Sequence, residues 1–172
     1  AVGGSGTASS VYGGGGGGGR VAVHYRDGAG YGGFAASSAA GGAGDNQNGD
    51  AGTTVFVDES VTNGHLRVFE NLVIPRDATP QFGAVTLADA ATMTLGGGST
   101  LTVDGLLAVT EGSMVRCASK DNVDQVAGAW AGVGHTISAG DATVDATSAI
   151  HADALGYAGS WAHNSTGRGP GG

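Results

Sequence analysis

The sequence predicts an all-β fold, a right-handed parallel β-helix (β-solenoid) with Gly-rich loops and termini, and three observations lead there. Glycine supplies 36 of the 172 residues, while aromatic residues make up 6% and charged residues 13%; Ala, Thr, Ser and Val are left to fill the interior. Small and β-branched side chains suit a thin core assembled from many short strands. Apolar residues recur in brief triplets every six to eight positions through the middle of the chain. No window sustains an i, i+3, i+4 apolar pattern, because Gly or β-branched residues interrupt each one.

The chain divides into a Gly-rich N-terminal segment (1–19), a strand-rich body (20–155) and a Gly-rich tail (156–172). An unbroken glycine run from Gly13 to Gly19 opens directly into Arg20, Val21, Ala22, Val23, His24 and Tyr25, where Val alternates with other residues as in a strand. A polyglycine stretch buries no side chain and loses the most backbone entropy on ordering. Its order must therefore come from a neighbouring surface, against which it lies extended or polyglycine-II-like. Thr53 to Val57 and His65 to Phe69 read as the next strands, followed by turn-forming residues.

Val85-Thr86-Leu87, Met93-Thr94-Leu95 and Leu101-Thr102-Val103 are apolar-Thr-apolar triplets spaced eight apart, and Leu107-Ala108-Val109 follows six further on. Such triplets are too brief for a hairpin meander but suit the sides of a parallel solenoid coil. Three sides make a coil of roughly 20 residues, stacked on the next at about 4.8 Å. The cadence resumes at Ile137, Val144 and Ile150, after a loop over 126–134 packed back by Trp130. The expected core is Val21, Val23, Val55, Val57, Leu87, Leu95, Leu101, Val103, Val109, Ile137, Val144 and Ile150.

These landmarks carry a resemblance. The glycine run followed by Arg-Val-Ala-Val-His-Tyr, then Ala51-Gly52-Thr53-Thr54-Val55-Phe56-Val57 and Gly132-Val133-Gly134-His135-Thr136-Ile137, resemble in their order the repeats of very large Gly-rich extracellular β-helix proteins, adhesin-like and structural. Ala142-Thr143-Val144-Asp145, Ile150-His151-Ala152-Asp153 and Leu155-Gly156-Tyr157-Ala158-Gly159 continue that order. The resemblance implies a secreted or cell-surface structural protein and brings no catalytic residues with it. About one repeat is present, without a tandem copy.

Composition excludes several function classes. A net charge of −8 with only seven Lys and Arg opposes binding to nucleic acid or anionic lipid, which needs clustered basic residues. No apolar stretch approaches the roughly 20 residues of a bilayer span, so membrane insertion is not expected, and neither is enzymatic activity. Neither end carries an amphipathic helix or a charged edge strand that would cap a solenoid. The expected partner is therefore self, through end-to-end strand stacking, with Val2, Val11, Gly13 and Gly19 of the N-terminal segment as connector. The alternative is a polysaccharide-binding or polysaccharide-cleaving β-helix domain, with a surface polysaccharide as partner on an aromatic platform drawn from Tyr12, Tyr25, Tyr31, Trp130, Tyr157 and Trp161.

Three candidate sites remain. Asp45, Asn46, Asn48 and Asp50 concentrate the oxygen ligands calcium prefers but lack the spacing and distal Glu of an EF-hand loop, and the same composition makes a self-bonded turn. Asn164-Ser165-Thr166 is an N-glycosylation sequon at Asn164. Cys117 alternates with Arg116 in a strand pattern and reads as a buried thiol or as one half of an intermolecular disulfide. No cofactor other than calcium is indicated.

Overall fold

The computed structural model describes residues 14–45, 47–120, 127–153 and 156. Eleven strands are present in these residues: β1 (Arg20–Tyr25), β2 (Thr53–Asp58), β3 (His65–Val68), β4 (Asn71–Ile74), β5 (Gln81–Phe82), β6 (Ala84–Leu87), β7 (Thr92–Leu95), β8 (Thr100–Val109), β9 (Met114–Cys117), β10 (Thr136–Val144) and β11 (Ala149–His151). They form two sheets. The larger runs β1-β2-β3-β6-β8-β10 with β5 also paired to β8; the smaller runs β11-β9-β7-β4. Every strand pair is parallel except β2 with β3. The expected all-β class with parallel ladders is what the chain adopts.

Register explains why so thin a chain has a continuous apolar core. Leu66 pairs with Val85, Val85 with Leu107 and Leu107 with Ala142, while Val68, Leu87, Val109 and Val144 form a second such column. In the smaller sheet Leu72, Met93, Val115 and Ile150 line up, beside Ile74, Leu95 and Cys117. Partners in a parallel pair lie on one face, so each column is a continuous apolar stack. Between β3, β6 and β8 the partners lie 19 and then 22 residues apart (66 to 85, 85 to 107). The alternation is legible in burial: in β6 and β7 the inward Val85, Leu87, Met93 and Leu95 are fully buried while the intervening residues are half-exposed.

Corners between strands need left-handed backbone. Asp89 and Ala90, and then Glu111 and Gly112, all have positive φ at successive corners. The corners are tied to one another: the Ala90 N–H donates to the Glu111 carbonyl at 2.9 Å and the Glu111 N–H to Asp145 Oδ2 at 2.7 Å. Hydrogen bonds from the Thr147 hydroxyl and the Glu111 backbone hold the Asp145 carboxyl well below the usual carboxylate range. Asp58 is lowered by Ser60, and Asp104 by Asn63 and Gln81. A folded-state value below the unfolded one contributes stability that is fully present above about pH 4 and is lost as pH falls through the folded value. Asp145→Asn is therefore expected to flatten the acid-side fall of the urea midpoint. An unchanged slope below about pH 4 would count against this role for the corner.

The expected core holds for Val55, Leu87, Leu95, Leu101, Val103 and Val109, all buried, and Val57 and Ile137 pack partly against them. Val23, Val144 and Ile150 depart from it, at 39%, 44% and 41% exposure. Val23 pairs with Phe56 on the face of β2 opposite Val55 and Val57, so that β1 directs its valines away from the main core. Val144 and Ile150 point along core columns but stand in the last layer, on edge strands β10 and β11. Their inner partners Val109 and Val115 are fully buried. Cys117 is half-buried against the core, and burial pushes its thiol pKa up.

Three glycine-rich segments precede and flank β1 and β2. Residues 14–19 run parallel to 47–52, with Gly15 donating to the Gln47 carbonyl and Gly18 to the Asp50 carbonyl, both at 2.8 Å. Residues 39–44 run antiparallel to 47–52: Gly49 donates to Gly42 O and Gly52 to Ala39 O. Gly42 closes the triangle by donating to Gly16 O at 2.7 Å. Donors and acceptors recur every third residue, the period of polyproline- and polyglycine-II helices. Residues 14–19 therefore take the expected polyglycine-II-like form, with their own chain as the neighbouring surface.

Candidate functional site

The aromatic residues concentrate on the outer face of β2. Thr54 and Phe56, on that face, are fully or almost fully buried, although they point away from the main core. The cover is the segment after β1. Phe34 packs edge-on against Phe56 with centroids 4.9 Å apart, and against Tyr31 at 4.8 Å. Tyr25 lies 5.7 Å from Phe34, and Phe69 is 5.8 Å from Phe56. Three of the four phenylalanines and two of the four tyrosines thus make a second, satellite core.

Glu70 fastens this cover. Its Oε2 accepts from the Ala39 N–H at 2.6 Å and from the Thr54 hydroxyl at 2.7 Å, and its Oε1 accepts from the Ser38 hydroxyl at 3.2 Å. Charge-assisted bonds of this kind are the stronger ones, and they dock 38–39 across the end of β2. The Arg67 guanidinium rests 5.6 Å from the Phe34 ring centroid.

Within the cluster a concavity of about 190 Å³ remains, walled by Tyr25, Tyr31, Phe34 and Phe56 and rimmed by Val23 and Asp27. Tyr31 is 47% exposed. Its hydroxyl is taken by Ser37 Oγ at 2.7 Å and by the Gly33 carbonyl, which fixes the ring. Asp27 Oδ1 accepts from the Ala29 N–H at 3.0 Å, and its second oxygen has no hydrogen bond among the described residues.

A second feature lies at the opposite end of the ladders. The terminal layer exposes Val144, Ile150 and Ala142 at the ends of otherwise buried columns, beside the outer edges of β10 and β11, which no further strand pairs among the described residues. At the β1 end the terminal layer combines exposed Val23 with charged groups: His24 Nδ1 lies 3.1 Å from Glu59 Oε1, and Arg26 Nε lies 3.4 Å from Glu59 Oε2.

Of the residues singled out from sequence, Tyr25 and Tyr31 meet in the aromatic concavity. Trp130 lies elsewhere, and Tyr12, Tyr157 and Trp161 fall outside the described residues. In the Asp/Asn segment Asn48 Oδ1 accepts from the Gly44 N–H at 3.2 Å, and Asp45 and Asp50 are exposed. Among the described residues no three His, Cys, Asp or Glu converge on a metal position. Asn46 lies outside the described residues, as do Val2, Val11, Gly13 and Asn164. The Gly19 carbonyl accepts from Thr53, at the point where the glycine pair passes into the β1-β2 ladder. Phe34, Phe56, Phe69, Asp27 and Glu70 were not legible as a site; the close spacing of Tyr25, Tyr31 and Phe34 in a chain poor in aromatics was the available signal.

No family model matches this chain, and no curated protein or solved structure matches it either.

Proposed function

We propose that the chain is a structural unit of an extracellular filament or cell-surface fibre, built as a right-handed parallel β-helix and joined to its neighbours end to end by β-strand stacking. The observation that carries this reading is the open terminal layer: Val144 and Ile150 are exposed although every inner member of their columns is buried. In the middle of the body, partner spacings of 19 to 22 residues (66 to 85, 72 to 93, 93 to 115) support a coil of the length the triplets predict, while the first and last layers are spaced more widely (20 to 53, 107 to 142, 115 to 150). An apolar layer beside a strand edge that no described residue pairs is completed by another strand layer. The resemblance to Gly-rich extracellular β-helix repeats fits the same role and the same secreted or cell-surface location. The net charge of −8 opposes lateral clumping and leaves axial growth as the favoured contact.

Negative-stain microscopy of the purified chain tests this. Thin, unbranched fibres that persist in molar salt are expected, since the junction is apolar and backbone-bonded rather than ionic. Val144→Lys with Ile150→Lys is expected to abolish the fibres while leaving the circular dichroism spectrum unchanged. Discrete particles at every concentration, or fibres that survive both lysines, would overturn the reading.

A further inference from the structure

The aromatic concavity is independent of the assembly reading and points to a ligand. Its walls are mostly ring carbon, from Tyr25, Tyr31, Phe34 and Phe56 with Val23 and Gly28 beside them, and the Tyr31 hydroxyl is already committed to Ser37 and Gly33. Asp27 is the charged residue of the lining, with one carboxylate oxygen satisfied by Ala29 and the other without a hydrogen bond among the described residues. A sugar seated here would leave most of its hydroxyls without partners, each at a desolvation cost. A neutral apolar group would fill the space but make no use of the carboxylate. A cation whose charge is sheathed in methyl groups satisfies both surfaces: the methyls meet the ring faces, whose quadrupoles attract positive charge, and the carboxylate supplies the counter-charge.

We propose that Tyr25, Tyr31, Phe34, Phe56 and Asp27 form a binding site for a small quaternary ammonium compound, one trimethylammonium group filling the concavity. The volume, about 190 Å³, suits such a head with the first carbons of its substituent. Arg67 against Phe34 already places one cation on a ring of this cluster. The neighbouring Arg26 is engaged by Glu59 at 3.4 Å and leaves Asp27 unneutralised. With a chain charge of −8, the surrounding field also favours a cation.

The test is a titration of the full chain with choline, followed by the ring proton resonances of Tyr25 and Tyr31 in NMR spectra. Its neutral isostere 3,3-dimethylbutan-1-ol and free glucose serve as parallel arms. Saturable shifts with choline are expected, with the isostere at least about tenfold weaker, the factor one to two desolvated cation-ring contacts supply. Asp27→Asn and Tyr31→Ala are each expected to weaken choline binding by a similar factor. Asp27 is exposed, so Asp27→Asn retains the fold, and an unchanged spectrum elsewhere verifies this. Equal binding of choline and the isostere would reduce the concavity to an apolar dent and overturn the proposal. So would glucose binding without choline binding, full affinity in Asp27→Asn, or no saturable shift with choline.

Discussion

Gly18→Ala and Gly52→Ala are each expected to destabilise strongly in urea unfolding, by about 2 to 3 kcal/mol, the upper range for overpacking a closed space. A methyl group on Gly18 would overlap the Ala39 carbonyl, and one on Gly52 the Gly19 carbonyl. Both obstacles are backbone, already bonded within the three-segment array, and neither can rotate away as a side chain would. Gly17 is the internal control. A methyl there meets only the Asp50 carbonyl, at 3.9 Å, and Gly17 lacks a positive φ. Gly17→Ala should be neutral or stabilise by up to about 1 kcal/mol through the unfolded chain. Amide exchange gives the local readout: protection at Gly15, Gly18, Gly49 and Gly52 should collapse in the first two variants and persist in the third. Equal behaviour of Gly17→Ala and Gly18→Ala would sink the three-residue packing period.

That period also shows where sequence reading stopped. In 14–19 the half-buried positions are Gly15 and Gly18, and in 47–52 they are Gly49 and Gly52, with exposed residues between. The run of identical glycines in 13–19 carries no side-chain pattern from which such a phase can be read. Only the register against 39–44 and 47–52 sets it, and that is a tertiary fact. The apolar triplets behave in the opposite way. Val85-Thr86-Leu87 and Met93-Thr94-Leu95 write their inward face directly into the residue alternation, and both faces are occupied as expected. β1 shows the limit of that logic. Val21 and Val23 alternate as a core face should, but β1 is an edge strand beside β2, whose two faces are both covered. Alternation fixes which residues share a face and not which of two covers that face meets. The aromatic site depends on the same missing information. Tyr25 and Phe56 are 31 positions apart in sequence, and only the parallel register of β1 on β2, Val23 beside Phe56, brings their surroundings together.

Leu101→Ala is the substitution in the body expected to cost most, about 2 to 5 kcal/mol. Leu101 is fully buried in β8, and its neighbour in the next layer, Ile137, is only partly buried. Thr102 faces the other way, is half-exposed, and should cost under about 1 kcal/mol when truncated. Equal costs would mean that β8 is displaced by one residue, which exchanges the two faces. The same truncation probes the open end. Ile150 lies over buried Val115 yet is 41% exposed, so Ile150→Ala in dilute, unassembled protein should cost well below Leu101→Ala, about 1 kcal/mol. If a second unit completes that layer, Ile150 becomes an interior residue of the assembled form. Its truncation should then slow elongation and raise the concentration at which fibres appear, while Leu101→Ala acts on the unit itself and lowers its stability at every concentration. An Ile150→Ala cost that already equals that of Leu101→Ala in the monomer would mean the terminal layer is covered before assembly, which would remove the apolar surface on which end-to-end growth depends.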